Sequence, residues 1–318
     1  MKISVVILTF NSQDFIEKCL NSVLEQSLSP DEIIIVDNNS KDNTINIIKE
    51  KFYNNKIIFL PQSFNTGFAK GMNIGIRAST GDYVLCLNAD TYLDRDFLKY
   101  SIKYFIKYNN VGSITGKILR MDDNKKIDTV GNFLNLRFTL KNSKNTEKKE
   151  FIFGPNGCAP IFSRRFLDEI CINNQYFDEQ YFAFMEDTDI NWRGQIFGYS
   201  SLFVPDAIVY HKRSASFDGK VSFFEKPLEI QYMVLKNRYR TLIKNLDFLS
   251  FFVISPLFII EEFFVWSFLL LKSVKYVKFL VNIIDELIKE KDYLKLWKKE
   301  IYSKKKRSFF YILKFLRI

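Results

Sequence analysis

The first ninety residues alternate apolar runs with segments of helical periodicity, and no other feature constrains the fold as strongly. Strands that are buried on both faces of a sheet have the length and composition of the runs at 2–10, 32–36, 56–60 and 83–87. The segments between these runs carry apolar residues three and four positions apart, as amphipathic helices do. This β-α-β-α-β-α-β order with short links predicts a doubly wound, mainly parallel α/β sheet with helices on both faces.

End signals and periodicity set the limits of the other elements. Asn11 and Ser12 form an N-cap pair for a first helix that runs to about Glu25. Further helices are predicted at 42–51, 65–78, 94–108, 165–171 and 186–198, and further strands at 111–120, 151–163, 201–204 and 207–211. Residues 121–150 are rich in Lys and Asn and are predicted to form a mobile excursion or a hairpin, whereas 177–185 is aromatic and irregular.

Two of the predicted strands end in a carboxylate, Asp37 after the second run and Asp90 after the fourth. Ligands of α/β sheets bind beyond the carboxyl ends of the strands, where an aspartate binds a divalent metal or a ribose. A turn aspartate is the alternative for either residue alone, and the pair favours a nucleotide site. The first strand-to-helix link, 9–12, contains no glycine, which argues against a dinucleotide fold and against a P-loop.

Several motifs recur in a fixed order along the chain. The first half contains Val5-Val6-Ile7-Leu8-Thr9-Phe10-Asn11, Ile33-Ile34-Ile35-Val36-Asp37-Asn38-Asn39-Ser40, Asn65-Thr66-Gly67-Phe68-Ala69-Lys70-Gly71-Met72-Asn73-Ile74-Gly75 and Leu87-Asn88-Ala89-Asp90. The second half contains Phe177-Asp178-Glu179, Phe184-Met185-Glu186-Asp187-Thr188-Asp189, Arg193, Gly198-Tyr199 and Val204-Pro205-Asp206-Ala207 followed by His211. Together they resemble the family 2 inverting glycosyltransferases of the GT-A fold, and the second set is typical of the rhamnosyltransferase-like branch. The resemblance covers about residues 2–240.

The resemblance implies a nucleotide-sugar pocket with a divalent ion. It implies that the nucleotide sugar contacts ten residues, which are Thr9, Asn11, Asp37, Asn39, Gly67, Lys70, Asn73, Asn88, Lys212 and Arg213. Asp90 and His211 would hold Mg²⁺ or Mn²⁺, which stabilises the charge that develops on a leaving nucleoside diphosphate. The family usually carries Asp-x-Asp here, and Asn88 at the first position removes one negative charge. A structural role is the alternative for His211, which is the single histidine of the chain.

Glu186 and Asp187 open a predicted helix, where carboxylates also satisfy free backbone N–H groups. An acceptor hydroxyl that displaces the nucleotide directly needs a general base, and such a displacement inverts the anomeric carbon. The resemblance implies that Asp187 is this base and that Glu186 is the second candidate, whereas Asp189 faces the helix interior. Acceptor contacts are predicted for Gly157, Cys158 and Arg193. A simple turn is the alternative for the glycine-rich link at 154–159.

Positive charge is concentrated at the C-terminal end of the chain. Of the net charge of +10, residues 272–318 carry +9, from 14 Lys and Arg against 5 Asp and Glu. The same segment contains Trp297 and Phe310, and this mixture favours an anionic membrane surface over nucleic acid as the partner. The basic run 304–307 is predicted to bind anionic lipid.

The run 248–271 is long enough to span a bilayer, but Pro256 and the pair Glu261-Glu262 interrupt it. We therefore expect helices that lie in the plane of the membrane or pack on protein. A spanning hairpin and a solvated helical subdomain are the alternatives. The absence of a charged-then-apolar leader at Met1, together with four scattered cysteines, suits a reducing cytosol.

These observations predict a GT-A domain over 1–221, with a nucleotide-sugar half (1–93) and an acceptor half (94–221), followed by a helical, membrane-associating region (222–318). The expected function is inverting transfer of a sugar, best matched by rhamnose from dTDP-rhamnose, to a hydroxyl of a lipid-linked glycan. The expected location is the cytoplasmic face of a bacterial membrane, and the expected product is an O-antigen, a capsule or a similar surface polysaccharide. A non-catalytic membrane-surface binding protein and a nucleotidyltransferase are the alternatives.

Overall fold

The computed structural model describes residues 1–52, 57–123, 126–135, 138–143, 145–212 and 223–317. The strands are β1 (Ile3–Thr9), β2 (Glu32–Asp37), β3 (Ile57–Pro61), β4 (Tyr83–Asn88), β5 (Thr91–Leu93), β6 (Val111–Arg120), β7 (Ile127–Thr129), β8 (Asn132–Leu134), β9 (Leu140–Asn142), β10 (Glu150–Ile152), β11 (Ile161–Ser163) and β12 (Ser200–His211). The helices are α1 (Ile16–Leu24), α2 (Thr44–Lys51), α3 (Gly67–Ala78), α4 (Phe97–Lys107), α5 (Arg164–Ile170), α6 (Glu186–Ile196), α7 (Leu228–Asn245), α8 (Phe248–Lys272), α9 (Lys275–Lys289), α10 (Lys291–Ser303) and α11 (Phe309–Leu313).

The main sheet has the strand order β10-β12-β6-β11-β4-β1-β2-β3, with β5 beside β12 and β7 beside β6. Strands β1 to β4 pair in parallel, which confirms the predicted α/β fold with a doubly wound parallel sheet. Alternate residues of β1 enter different clusters, because Val6 packs with α3 on one face whereas Val5 and Ile7 pack with α1 on the other. Strand β11 runs antiparallel to both of its neighbours, so the sheet becomes mixed beyond β4.

Two predicted strand limits are corrected by the structure. The predicted strand at 151–163 is interrupted, since β10 and β11 lie on different neighbours and a loop at 153–160 joins them. The two short strands predicted at 201–204 and 207–211 form the single strand β12, whose register against β6 shifts between Val204 and Ile208. A β-bulge of this kind lets one long strand bend without ending. For 121–150, the hairpin alternative is confirmed by the pairing of β8 with β9.

The predicted N-cap of the first helix is wrong. Helix α1 begins at Ile16, four residues later than expected, and the Ser12 hydroxyl donates to the Phe10 carbonyl instead of capping. The Ser12 carbonyl accepts the backbone N–H groups of Phe15 and Ile16, so 12–15 forms a turn that leads into the helix. Asn11 adopts a positive φ of 48°, which turns the chain immediately after β1. The polar pair therefore shapes the edge of the sheet rather than the helix end.

The C-terminal helices share the core of the preceding residues. Trp297 of α10 and Phe315 are buried in the same cluster as Trp192 of α6 and Phe153. The guanidinium of Arg193 lies 5.3 Å from the centre of the Trp297 ring. The predicted domain boundary near 222 falls outside the described residues.

Helix α8 is the one helix, within the described ranges, that is long and apolar enough to cross a membrane. Only Ser250 and Leu269 of its 25 residues are buried. Glu262, near its middle, pairs with Arg238 of α7 at 2.5 Å, so one of its two mid-helix carboxylates faces protein. Helix α9 presents a second apolar stripe to solvent, formed by Val277, Val281, Ile284 and Ile288.

Candidate active site

The ends of β1 and β2 form a polar edge, because Thr9 lies directly opposite Asp37 in the parallel register. The two carboxylate oxygens of Asp37 accept the backbone N–H and the hydroxyl of Ser40, which fixes the carboxylate at the bottom of the edge. The Thr9 hydroxyl is buried and has no hydrogen-bond partner among the described residues. A buried hydroxyl without a partner is unusual, so this position is suited to a polar ligand.

Loops with left-handed residues surround this edge. Asn11 and Asn39 have positive φ angles of 48° and 66°, and the Asn11 side chain accepts the Lys41 backbone N–H at 2.8 Å. The ring of Phe10 is 46% exposed at the end of β1, beside Thr9. Sequence reasoning missed Phe10, whose only signal was an apolar residue at the point where the strand leaves the core. An exposed ring at this edge offers a stacking face to a planar base.

Asn38, which sequence reasoning also missed, joins β2 to the start of α3. Its amide donates to the Gly67 carbonyl at 3.0 Å and its oxygen accepts the Thr66 hydroxyl at 2.8 Å. Gly67 has a φ of 81°, and a Cβ there would lie 2.6 Å from the Phe182 ring. Only glycine fits this close approach of α3 to the loop around Phe182.

The structure does not support a nucleotide contact for Asn73. Its side chain is fully buried, its oxygen accepts the Phe177 backbone N–H at 2.9 Å, and its amide donates to the Phe177 carbonyl at 2.7 Å. Both ends of the amide are thus used to hold the irregular loop against α3. Lys70 is half-exposed on the same helix.

The ends of β4 and β12 bring together a second group of charges. His211 Nδ1 lies 2.9 Å from an oxygen of Asp128, and His211 Nε2 lies 3.5 Å from an oxygen of Asp90. Burial alone would lower the pKa of His211, but the hydrogen bonds to Asp128 and Asp90 outweigh it and raise the pKa to about 9. Asp128 was missed by sequence reasoning because it precedes His211 by 83 positions in a segment that shows no motif.

The donor set at this edge fits a divalent ion shared with a ligand. The described residues contain no group of three His, Cys, Asp or Glu side chains placed to hold a metal alone. A phosphate-bearing ligand brings its own oxygens, however, so two protein ligands suffice. Asp90 could offer a carboxylate oxygen, and His211 could offer Nε2 once the ring loses a proton, while Asp128 holds the other ring nitrogen. An imidazole ligand suits Mn²⁺ better than Mg²⁺.

Asn88, Lys212 and Arg213 were predicted beside this group. The Asn88 side chain is half-exposed at the end of β4, and its backbone N–H donates to the Cys158 carbonyl at 2.9 Å. The Lys212 backbone N–H donates to the Asp90 carbonyl at 3.0 Å, which places its half-exposed side chain next to the acidic group. Arg213 lies outside the described residues.

Glu186 and Asp187 begin α6 directly after a left-handed residue, Met185, with a φ of 72°. The Asp187 carboxylate accepts the Thr188 backbone N–H at 2.7 Å, and its other oxygen lies toward Gly157. Burial is the main cause of a raised pKa in both carboxyl groups. The pKa of Glu186 is raised more than that of Asp187, because the negative charge of Asp187 adds to the effect of burial. One Glu186 oxygen is buried without a partner among the described residues. Asp187 is thus the more available proton acceptor of the pair.

Two of the three predicted acceptor contacts are corrected. Arg193 is fully buried and donates to Asp189 at 3.0 Å and to the carbonyls of Ile170 and Tyr176 at 2.7 Å each, so its guanidinium has a structural role. The Cys158 side chain packs in the core and exposes 2% of its surface. Gly157 remains, because a Cβ there would lie 3.8 Å or more from Glu186 and Asp187. The backbone of Gly157 therefore lies beside the two carboxyl groups.

Comparison with known sequences identifies one family model that matches the chain. It is described as glycosyl transferase family 2 and matches residues 4–171. The poly-beta-1,6-N-acetyl-D-glucosamine synthase of Staphylococcus epidermidis is 28% identical over 211 residues, which are 65% of this chain and 49% of that protein. The corresponding synthase of Staphylococcus aureus (strain MW2) is 29% identical over the same shares. The chain spans about half the length of these curated relatives.

Solved structures share the fold at low sequence identity. TarS of Staphylococcus aureus (residues 1–349) in complex with UDP-GlcNAc superposes with a TM-score of 0.61 at 18% identity, covering 96% of this chain and 89% of that one. GalNAc-T7 with UDP, GalNAc and Mn²⁺ has a TM-score of 0.61 at 17% identity, covering 77% and 48%. Both likenesses concern the fold alone.

Proposed function

Because the chain belongs to glycosyl transferase family 2, we propose that it moves a sugar from a nucleoside diphosphate to a glycan hydroxyl with inversion of the anomeric carbon. The observation that carries this proposal is the half-buried Asp187 carboxylate at the start of α6. Its pKa is raised by burial, and its second oxygen lies beside the backbone of Gly157. A carboxylate of this kind is suited to accept the proton of an attacking hydroxyl.

The proposed reaction is a single displacement. The acceptor hydroxyl oxygen bonds to the anomeric carbon on the face opposite the nucleotide, its proton passes to Asp187, and the nucleoside diphosphate leaves with the electrons of the broken bond. Burial raises the pKa of Glu186 above that of Asp187. Glu186 therefore stays protonated at a pH at which Asp187 is ionised, and Asp187 is the one charged group of the pair. The Thr188 N–H holds one Asp187 oxygen, and the proposed proton acceptor is the other oxygen, which lies beside Gly157.

Asp90 and His211 would hold the divalent ion, with Asp128 orienting the imidazole. When bound, the ion stabilises the negative charge on the diphosphate. Phe10, Thr9 and Asp37 line the part of the edge suited to the nucleoside, because one offers a ring face and the others offer polar groups. Asn88 in place of an aspartate removes one negative charge from the site, which lowers the affinity of the site for the ion.

The proposed donor is dTDP-rhamnose, on the resemblance of the second half of the chain to the rhamnosyltransferase-like branch. The similarity to a poly-beta-1,6-N-acetyl-D-glucosamine synthase and to TarS in complex with UDP-GlcNAc supports a UDP-linked N-acetylhexosamine as the second candidate. A thermal-shift titration of detergent-solubilised protein with UDP, dTDP, GDP and CMP separates them. We expect dTDP to raise the melting temperature, and to raise it further when Mn²⁺ is present. A free nucleotide concentration of a hundred times Kd adds about 2.7 kcal/mol to the free energy of unfolding.

The control for this titration is Asp90→Asn, which keeps the size of the side chain and removes its charge. It should abolish the extra stabilisation by Mn²⁺ while the shift by nucleotide alone persists. A shift with UDP only would replace the rhamnose donor by a UDP-sugar. A shift with GDP or CMP only would contradict both donors, and no shift with any nucleotide would favour the non-catalytic binding protein.

We further propose that α8 and α9 seat the protein on the cytoplasmic face of a bacterial membrane, where a lipid-linked acceptor for surface polysaccharide would lie. Leu271 and Val274, at the corner between the two helices, are 88% and 80% exposed. The predicted lipid contact at 304–307 is not supported, because its side chains contact protein: Lys305 pairs with Asp247 at 2.6 Å and Lys306 pairs with Glu169 at 2.8 Å. The exposed Lys272, Lys275 and Lys278, which flank the apolar corner, take over that role.

Flotation with vesicles tests this membrane contact. Each exposed lysine near an anionic surface contributes about 1 kcal/mol. The double variant Lys275→Gln/Lys278→Gln should therefore bind vesicles containing phosphatidylglycerol about 30-fold more weakly than the parent, at roughly 1.4 kcal/mol for each tenfold change. Binding to pure phosphatidylcholine should change little. The double variant Lys99→Gln/Lys103→Gln on α4, with the same loss of charge, should bind like the parent; equal losses in both variants would contradict the assigned surface.

A further inference from the structure

The loop that leads into Asp187 is held in an uncommon backbone conformation. Phe182, Phe184 and Met185 all have positive φ angles, of 58°, 68° and 72°. Residues with a side chain disfavour this region, and each such residue costs about 1–3 kcal/mol. A segment with three of them in four positions keeps its shape only where surrounding contacts determine it. We therefore sought the groups that hold residues 181–185.

One amide from the C-terminal helical region contacts three carbonyls of this loop. The Asn237 side chain on α7 donates to the carbonyl oxygens of Tyr181 at 3.0 Å, Ala183 at 2.9 Å and Phe184 at 3.0 Å. Asn237 is fully buried. These carbonyls flank the left-handed residues, so the amide contacts the loop at the points where its backbone reverses.

Neighbouring side chains orient that amide. The Arg240 guanidinium donates to the Asn237 oxygen at 2.7 Å and to the Gln180 carbonyl at 2.9 Å. Arg240 itself pairs with Glu290 at the junction of α9 and α10. With its oxygen occupied by Arg240, Asn237 can present only its N–H groups to the loop, which settles the orientation of the amide.

The opposite side of the loop contacts the nucleotide half. The Phe182 carbonyl accepts the backbone N–H groups of Phe68 at 2.6 Å and Ala69 at 3.2 Å, at the start of α3. The loop therefore lies between α3, next to the predicted donor pocket, and α7. At its end the Met185 carbonyl accepts the Asp189 N–H, the first bond of α6. The direction of α6, and with it the placement of Asp187, follows from the shape of this loop.

We infer that Asn237 is a positioning residue for the general base, so that α7 contributes this one residue to the placement of Asp187. The inference rests on the proposed function, in which Asp187 accepts the acceptor proton. Without the three hydrogen bonds the left-handed residues relax and α6 starts from a different point. A displacement of about 1 Å at a reacting group costs on the order of 10²-fold in rate. Donor binding, which uses the ends of β1, β2 and β4, is unaffected.

The test compares Asn237→Leu, which keeps the volume and removes the donors, with Thr241→Val one turn further along α7. Thr241 is equally buried and bonds the Tyr181 hydroxyl at 2.7 Å, so it joins the same two elements without touching the loop carbonyls. The probes are dTDP-rhamnose and UDP-N-acetylglucosamine with a membrane extract as acceptor, and nucleotide release is measured. Hydrogen exchange of the amides at 181–187 reports the loop directly.

For Asn237→Leu we expect a fall in kcat of about 10²-fold, an unchanged nucleotide-induced thermal shift, and at least tenfold faster exchange at 181–187. For Thr241→Val we expect kcat and exchange close to those of the parent. Equal losses of kcat in the two variants would identify a merely structural role and overturn the inference, as would parental kcat in Asn237→Leu. If Asn237→Leu does not fold, Asn237→Ser serves in the same comparison.

Failure of the inference is distinguishable from failure of the proposed function. If Asp187→Asn abolishes nucleotide release while Asn237→Leu leaves it unchanged, Asp187 is still the base and only the positioning role of Asn237 is overturned. If Asp187→Asn leaves nucleotide release unchanged, the assignment of the base fails first. In that case, faster exchange at 181–187 in Asn237→Leu would show only that Asn237 stabilises the loop. It would not connect the loop to catalysis, and the inference would be overturned together with the proposed base.

Discussion

Replacing Asp187 with Asn should lower the rate of sugar transfer by about 10² to 10⁴-fold, the usual contribution of a general base. The amide keeps the shape of the side chain and can still accept the Thr188 N–H at 2.7 Å, so the start of α6 should be preserved. What is lost is the ability to take up the acceptor proton. Nucleotide release with both donors measures the rate, and an unchanged thermal shift by nucleotide shows that the donor site is intact.

The matched control is Glu186→Gln in the adjacent position. Burial raises the pKa of Glu186 more than that of Asp187, so glutamine resembles the protonated state of Glu186 near neutral pH. We expect this variant to retain transfer within about tenfold of the parent. A severe loss in Glu186→Gln with near-parental activity in Asp187→Asn would reverse the assignment and make Glu186 the base.

The pH profile of the parent adds a check on the same group. Because burial raises the pKa of Asp187, the base becomes protonated, and transfer declines, as pH falls through a value above the ordinary aspartate range of about 3.9. An acidic limb at or below that ordinary value would show that another group accepts the proton. Asp187→Asn should remove this limb from the residual activity.

The edge of the sheet was predictable because the alternation of strands and helices makes the strands parallel, so that their carboxyl ends lie at one edge. Four apolar runs with helical links place the ends of β1, β2 and β4 together, and Asp37 and Asp90 lie there for that reason. The direction in which a helical side chain points was less predictable. Asn73 and Arg193 belong to the motifs that suggested substrate contacts. In the structure both side chains are buried and donate to backbone carbonyls of residues 170–177. A motif marks the residue, whereas its partners depend on tertiary packing against residues outside the motif, such as Phe177 for Asn73.

The largest omission concerned α7. In the sequence, Asn237, Arg240 and Lys244 look like the solvated face of an amphipathic helix, because polar residues at three- and four-residue spacing normally face water. In the structure this face is buried against 178–189. No periodicity distinguishes a polar face that meets water from one that meets carbonyls and carboxylates. The helical region was therefore predicted to lie on the membrane or to pack on protein, and no residue of α7 was predicted to act at the site.

Lys244→Met should be the most destabilising of the substitutions considered, with an expected loss of about 3–5 kcal/mol, the cost of removing one partner from a buried ion pair. The Lys244 ammonium lies 2.6 Å from Asp178 and 3.0 Å from Asp189, and all three side chains are at most 1% exposed. Methionine fills a similar volume but leaves two carboxylates facing each other. Asp189 keeps Arg193 at 3.0 Å, while Asp178 keeps only neutral partners among the contacts described, such as the Tyr293 hydroxyl at 2.6 Å.

The apparent melting temperature of the full chain in one detergent measures this loss, and we expect a fall of about 10 °C. The control is Lys236→Met on the same helix, whose ion pair with Glu286 at 2.8 Å is partly exposed and is expected to contribute less than about 1 kcal/mol. Burial would raise the pKa of Asp189, but Lys244 and Arg193 hold it below the ordinary value. The stability from this ionised carboxylate is present at neutral pH and is lost as pH falls through that lowered pKa, so the two variants should differ most at neutral pH. Equal losses at neutral pH would contradict a buried role for Lys244 and would separate α7 from the core that positions the base.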